Sequence, residues 1–195
     1  NGADARVDNI LRLTRLSFSA IAHTVHYPAG PDKWTSWVSV NQELTADETS
    51  MVLAASPRPA LLVLQWLRVA IFDANQSSCL ADLAAVEMDK SVAGLISCFN
   101  GLTKIDSTPP PFAFNQLVKL LITVFISLAP FGLVKAIGLA SLVVTPFMAY
   151  AMFGLDAIST QMMNPFGDDQ NDLPLKKMTQ SVAMDTQLAA NGRIG

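Results

Sequence analysis

Two stretches of the chain carry almost no polar positions, while the residues before them alternate apolar and charged positions at helical spacing. Between Asp106 and Asp156 the charged residues are Lys119 and Lys135 alone. Leu120 to Val134 is uncharged throughout and would span about 22 Å as a helix; Ala136 to Leu155 is uncharged too and would span about 30 Å. The second run matches the hydrocarbon thickness of a bilayer, and Lys119 and Lys135 lengthen the first by laying their aliphatic stems along it. Two closely spaced transmembrane helices are therefore expected. The alternative is a buried hairpin in a soluble protein, but soluble helices carry a polar stripe and these runs show almost none. Pro130 and Pro146 fall inside the runs, where each removes a backbone donor and is expected to kink or interrupt its helix.

Upstream, Val7, Ile10, Leu11, Phe18, Ile21 and Val25 recur at three-and-four spacing, with Arg6, Asp8, Arg12 and Arg15 on other faces. This predicts an amphipathic helix from Ala5 to Val25, ended by Pro28-Ala29-Gly30-Pro31. Asp32 to Leu44 has weak periodicity and reads as an irregular loop, its Trp34 and Trp37 either packed or at a headgroup boundary. Thr45-Ala-Asp-Glu48 is a capping box and predicts a short helix to about Ala55, stopped by Ser56-Pro-Arg-Pro59. Pro59 suits the first turn of a buried helix, Ala60 to Phe72. Ser78 to Gly101 reads as a further helix, with Leu80, Leu83, Ala84, Val86, Ala93, Leu95, Ile96 and Phe99 inward and Asp82, Glu87, Asp89 and Lys90 in water. Gly101 would be its C-cap. Pro109-Pro110-Pro111 then imposes an extended approach to the first apolar run. No useful strand alternation and no internal repeat occurs, so the class is all-α. The layout expected is an extramembrane helical region over 1–107, a transmembrane hairpin over 108–160, and a turn with a C-terminal helix or tail over 161–195.

Composition sharpens this picture. The chain has 195 residues, enough for one domain with a core, but only 15% are charged and 51% are hydrophobic, against about 25% charged in ordinary globular chains. A mean hydropathy of +0.35 points the same way. A net charge of −3 with no basic run argues against nucleic acid. Cys79 and Cys98 form no Cys-x-x-Cys pair and read as small core residues. His23 and His26 share a helix face and could form half of a metal site, but no third ligand follows at diagnostic spacing, so they read as helix-end or surface histidines. No nucleophile elbow, His-Glu-x-x-His, Walker loop or dinucleotide fingerprint is present, so an enzyme reading has nothing to attach to.

The remaining chemistry lies behind the second apolar run. Asp168, Asp169 and Asp172 stand with Asn164, Gln170 and Asn171, all oxygen donors suited to a hard cation such as calcium. The competing reading is structural: Pro165 and Gly167 break the helix, and the acidic residues cap the next one near Leu173-Pro174.

Four motifs in order, Thr108-Pro-Pro-Pro-Phe-Ala-Phe114, Leu128-Ala-Pro-Phe-Gly-Leu-Val134, Phe153-Gly-Leu-Asp-Ala-Ile158 and Asn164-Pro-Phe-Gly-Asp-Asp-Gln-Asn-Asp-Leu-Pro-Leu175, resemble the bestrophin family, the last in its bacterial form. Arg58-Pro, Gln65-Trp-Leu67 and Asn1-Gly-Ala-Asp-Ala-Arg6 fit it more loosely, and Val7 departs from the family's usual aromatic. The resemblance implies a pentameric chloride channel with four membrane helices per subunit, of which the two runs here are the last two. The first hairpin, with the hydrophobic neck of the pore, would lie before Asn1. It further implies a calcium clasp in which Asp168, Asp169 and Asp172 are ligands and Asn164 supports them, although Gln170 and Asn171 replace acidic residues.

The function expected is passive permeation of chloride or other anions by a bestrophin-type homo-pentamer in membrane lipid, with Arg6, Arg12 and Arg15 of the first helix attracting anions near the pore axis. If Asn1 is the mature N-terminus, the alternative is a reduced, non-conducting accessory subunit among unrelated subunits of a respiratory or photosynthetic complex, in a thylakoid or mitochondrial inner membrane. A soluble helical binding module is a third class, which would extract without detergent.

Overall fold

The computed structural model describes residues 2–27, 33–55, 58–108 and 111–192. Among them the chain forms helices α1 (Gly2–His26), α2 (Lys33–Val40), α3 (Ala46–Ala54), α4 (Pro59–Gln76), α5 (Asp82–Ser107), α6 (Phe112–Ile137), α7 (Ser141–Gln161) and α8 (Leu175–Asn191), with a single 3-10 turn at Gly138–Ala140 and no strand. They group into two compact units, Asn1–Ile105 with Pro174–Gly195, and Asp106–Leu173.

In the first unit α1 is central and packs chiefly on α4 and α8. Ile10, Leu13, Leu16 and Ala20 form its buried stripe and meet Val63, Leu64, Leu67, Ala70 and Ile71 of α4 in one apolar cluster. Both sets recur every three or four residues, the spacing that turns one face of each helix inward. Ser17 is buried in the same stripe, and its hydroxyl donates to the carbonyl of Thr14 at 2.8 Å, so no polar group is stranded there. Pro59 opens α4 at its first turn as expected, where its missing N–H costs nothing.

Four local expectations need correction. The segment read as an irregular loop contains helix α2, because Trp34 and Trp37, three apart, share one buried face, and Trp37 Nε1 donates to Ser19 Oγ at 3.0 Å. On α5 the buried residues are Ala85, Val92 and Phe99, a seven-residue repeat, flanked by half-buried Met88, Leu95 and Ile96. Leu83 and Val86 lie outside that seam and are exposed, while Asp89 turns onto Arg68 of α4, which donates to its two carboxylate oxygens at 2.6 and 2.9 Å. The helix continues through Gly101 to Ser107, so Gly101 is not its cap. Cys98 is exposed and Cys79 only partly covered, so neither is a core residue.

The second unit is an antiparallel hairpin. Pro111 precedes α6 with φ −53° and ψ 125°, the extended conformation expected of the proline run; Pro109 and Pro110, like Pro28 to Pro31 and Ser56-Pro57, lie outside the described residues. The reversal falls at Gly138, whose φ of +59° is a left-handed conformation that costs a glycine little. Helices α6 and α7 then pack on each other, and Asn115 near the start of one reaches Met163 just beyond the end of the other. Both run uninterrupted through Pro130 and Pro146.

Candidate functional site

Helix α1 carries the cations that sequence suggested for anion attraction, and two of the three are spoken for. The guanidinium of Arg12 donates to both carboxylate oxygens of Glu48, at 2.8 and 2.7 Å, and also to the carbonyl of Glu43 at 2.7 Å. Glu48 simultaneously closes the capping box of α3: its carboxylate accepts from Thr45 N at 2.9 Å, and its own amide donates to Thr45 Oγ1 at 3.3 Å. The hydrogen bonds from Arg12 hold the Glu48 carboxyl at about 2, with help from the Thr45 amide and against the cost of burial. The same contact raises Arg12. Arg15 pairs with the Glu43 carboxylate at 3.1 Å. Arg12 and Arg15 therefore fix α1 to the α2–α3 segment, and their charge is compensated locally. Arg6 is exposed and donates to Cys79 Sγ at 3.4 Å, with no carboxylate partner among the described residues.

At the other end of α1, His23 is buried against the rings of Tyr27 and Trp34, at centroid distances of 4.5 and 5.3 Å. Its Nε2 lies 2.7 Å from the carbonyl of Lys33, which can only accept, so Nε2 carries the proton. Burial lowers its pKa. His26 packs edge-on against the same Tyr27. The pair, for which the sequence offers a metal half-site or plain helix-end histidines, is thus part of an aromatic corner at the helix end.

The acidic loop closes on itself. Leu173 N donates to the Pro165 carbonyl at 2.9 Å, Phe166 is buried, and Asp172 Oδ2 accepts from Asp169 N at 2.7 Å while Asp172 N donates back to Asp169 O at 3.1 Å. Asn164 Oδ1 accepts from Phe166 N at 3.4 Å. Asp168 and Asp169 are exposed. Helix α8 begins behind Pro174 with no side-chain cap and no acidic residue in its first turn, so the acidic residues do not cap it; Asp172 caps the loop's own turn instead. The donor types suit calcium, but the arrangement does not: among the described residues no three His, Cys, Asp or Glu side chains gather where they could hold a metal ion.

Gly167 is fixed by this arrangement. A Cβ there would lie 2.7 Å from Asp172 Oδ2 and 3.3 Å from Asn164 Nδ2. Gly167→Ala is expected to push the Asp172 carboxylate off the Asp169 amide, at about 1–2 kcal/mol for the broken charge-assisted bond. Hydrogen exchange should rise at the Asp169 amide, and the alanine should cost little more once Asp172 is itself alanine.

The hairpin is the other functional element. No residue of α6 is buried, and Ser141 is the one buried residue of α7. Phe131, Phe147 and Tyr150 are 75%, 74% and 81% exposed. Continuous apolar surface on this scale is covered in a stable protein, by lipid or by other subunits. Helices of 26 and 21 residues are about 39 and 31 Å long, enough to cross the hydrocarbon layer.

Comparison with known proteins agrees with both elements. A voltage-dependent anion channel-forming protein of Ralstonia nicotianae is 34% identical over 140 residues, which is 72% of this chain and 45% of that protein. Another, from Mesorhizobium japonicum, is 38% identical over 88 residues, 45% of this chain and 28% of that protein. An Escherichia coli protein of the same description is 25% identical over 145 residues, 73% and 46% of the two chains. This chain thus spans about half, or less, of the length of these relatives. A crystal structure of a bacterial bestrophin homologue from Klebsiella pneumoniae superposes with a TM-score of 0.80 at 22% identity, over 96% of this chain and 67% of that one. The fold is therefore that of an all-α integral membrane protein with a two-helix transmembrane hairpin and extramembrane helices. Residues 11–187 match the family described as Bacterial/Fungal Bestrophin protein, and the chain belongs to that family.

Proposed function

We propose that this chain belongs to a subunit of a passive, bestrophin-type anion channel, conducting chloride and other small anions as a homo-pentamer in membrane lipid. The family match over residues 11–187, joined to relatives named for forming voltage-dependent anion channels, carries the reading. Those relatives are channels rather than enzymes, and permeation breaks no bond: what it asks of the chain is a lipid-facing hairpin and a packed helical unit. Both are present. Of the α1 arginines, Arg6 is the one without a carboxylate ion pair among the described residues, which makes it the cation available to raise the local anion concentration.

Chloride efflux from liposomes containing the full-length protein tests this reading, and a five-copy assembly in cross-linking should accompany it. Arg6→Gln should slow efflux at low ionic strength and much less at high, because salt screens a charge of this kind. Absence of efflux from correctly assembled pentamers would refute the channel. The accessory-subunit alternative, with its organellar inner membrane, rests on where the sequence begins and has no support from the relatives, which come from bacteria.

The calcium clasp is a separate reading of Asp168, Asp169, Asp172 and Asn164. It requires the loop to open, since Asp172 Oδ2 is already engaged by the Asp169 amide. Melting of the protein with added calcium decides it: a rise abolished by Asp172→Asn would support the clasp, and no calcium-specific rise would remove it.

A further inference from the structure

At the open end of the α6–α7 hairpin lies a cleft of about 450 Å³. Two charged side chains of the hairpin, Lys119 and Asp156, line it together with the polar Asn115, Ser159 and Thr160. Neither Lys119 nor Asp156 makes an ion pair within the described residues. Their depth is informative. Lys119 lies seven residues beyond Phe112, the start of α6, and Asp156 five residues before Gln161, the end of α7, which puts them about 10 and 8 Å inside the hairpin's open end. Lys135 marks the opposite end of α6's uncharged run, about 24 Å away along the helix. The cleft therefore sits where apolar surface gives way to the headgroup layer, and charges left without partners at that level are costly.

We propose that this cleft binds the headgroup of a phosphatidylethanolamine-type phospholipid. Charge complementarity selects the class. The Lys119 ammonium matches a phosphate, and the Asp156 carboxylate, with the hydroxyls of Ser159 and Thr160, matches a primary ammonium that can donate up to three hydrogen bonds. A glycerol headgroup would offer Lys119 the same phosphate but has no cation to neutralise Asp156. A choline headgroup has no N–H to give the carboxylate. The acyl chains would run along the exposed apolar surface of α6 and α7, where Leu121 and Phe147 are 59% and 74% exposed. This proposal requires only that the hairpin spans a bilayer and does not depend on conduction.

The test is native mass spectrometry of the full-length protein in detergent, with phosphatidylethanolamine, phosphatidylglycerol and phosphatidylcholine supplied in turn. A photoactivatable phosphatidylethanolamine is then mapped by peptide. The wild type should retain phosphatidylethanolamine best and carry the label on α6 and α7 around Lys119 and Asp156. Lys119→Met and Asp156→Asn should each lower its retention about tenfold, the loss of one charge-assisted contact. Lys119→Arg should keep it. Asp156→Asn should at the same time raise retention of phosphatidylglycerol, because the repelling carboxylate is gone. Equal retention of the three lipids, or cross-links from this cleft to a second copy of the chain in place of lipid, would overturn the proposal.

Discussion

Phe99→Ala is expected to destabilise the first helical unit by about 3–5 kcal/mol, the range for emptying a buried aromatic site. The reason lies in how α5 is held. Its fully buried residues are Ala85, Val92 and Phe99, and Phe99 alone among them is large, at 2% exposure. The Arg68–Asp89 pair ties down the half of α5 that contains Ala85 and Val92 and leaves the later half to Phe99. Truncation leaves the turns up to Ser107 with only half-buried contacts such as Leu95 and Ile96. Hydrogen exchange along residues 95–107 should accelerate before global melting, and the melting temperature should fall by about 10 °C or more. Phe99→Leu should recover most of the loss, because it restores apolar volume to the seam. Uniform exchange along α5 in Phe99→Ala would show that the helix is held elsewhere.

Glu48→Ala should cost about 2–3 kcal/mol, because one carboxylate serves two structures. Loss of the capping box accounts for about 1 kcal/mol. Loss of the bidentate Arg12 contact accounts for about 1–2 kcal/mol, reduced from what the shift to about 2 would suggest because the pair is part-exposed and screened by solvent. Glu48→Gln separates the contributions: glutamine can still accept at the N3 position of the box, but gives Arg12 no charge. The pH dependence follows. The Glu48 carboxyl is held below its ordinary 4.5, so its stabilisation is fully present above that value and is lost as pH falls from about 4.5 toward about 2. Acid titration of wild type and Glu48→Gln should show that slope in the first and a reduced slope in the second. Identical slopes would mean that other carboxylates dominate acid sensitivity.

What was legible in the sequence depended on range. The capping box at Thr45 and Glu48 is four residues long, and its geometry is carried by residue type alone; it occurs as expected. The hairpin was legible for a different reason: long uncharged runs admit few environments, and the sequence motifs around them already resembled bestrophins. The contacts of Glu48 and Glu43 with α1 were not legible, because Arg12 stands 36 residues from Glu48 and Arg15 28 from Glu43, and no local pattern links them. Arg12 and Arg15 therefore looked like exposed cations. Helix α2 is not legible because eight residues give too short a window for periodicity, although two tryptophans three apart are the available signal. On α5 the inward set that the apolar residues suggest includes Leu83, Ala84, Val86 and Ala93, which are exposed, and leaves out Ala85 and Val92, which with Phe99 mark the buried seam at a seven-residue repeat. The acidic loop was readable as a turn, but the choice of Asp172 as cap of that turn depends on its fold back to Asp169.

The most direct measurement is the reversal potential of the full-length protein in a planar bilayer under an asymmetric chloride gradient. A bestrophin-type anion channel predicts currents that reverse close to the chloride equilibrium potential, with a conductance that falls in Arg6→Gln at low salt. Reversal at the cation equilibrium potential, or no current from protein shown to be assembled as a pentamer, would contradict it.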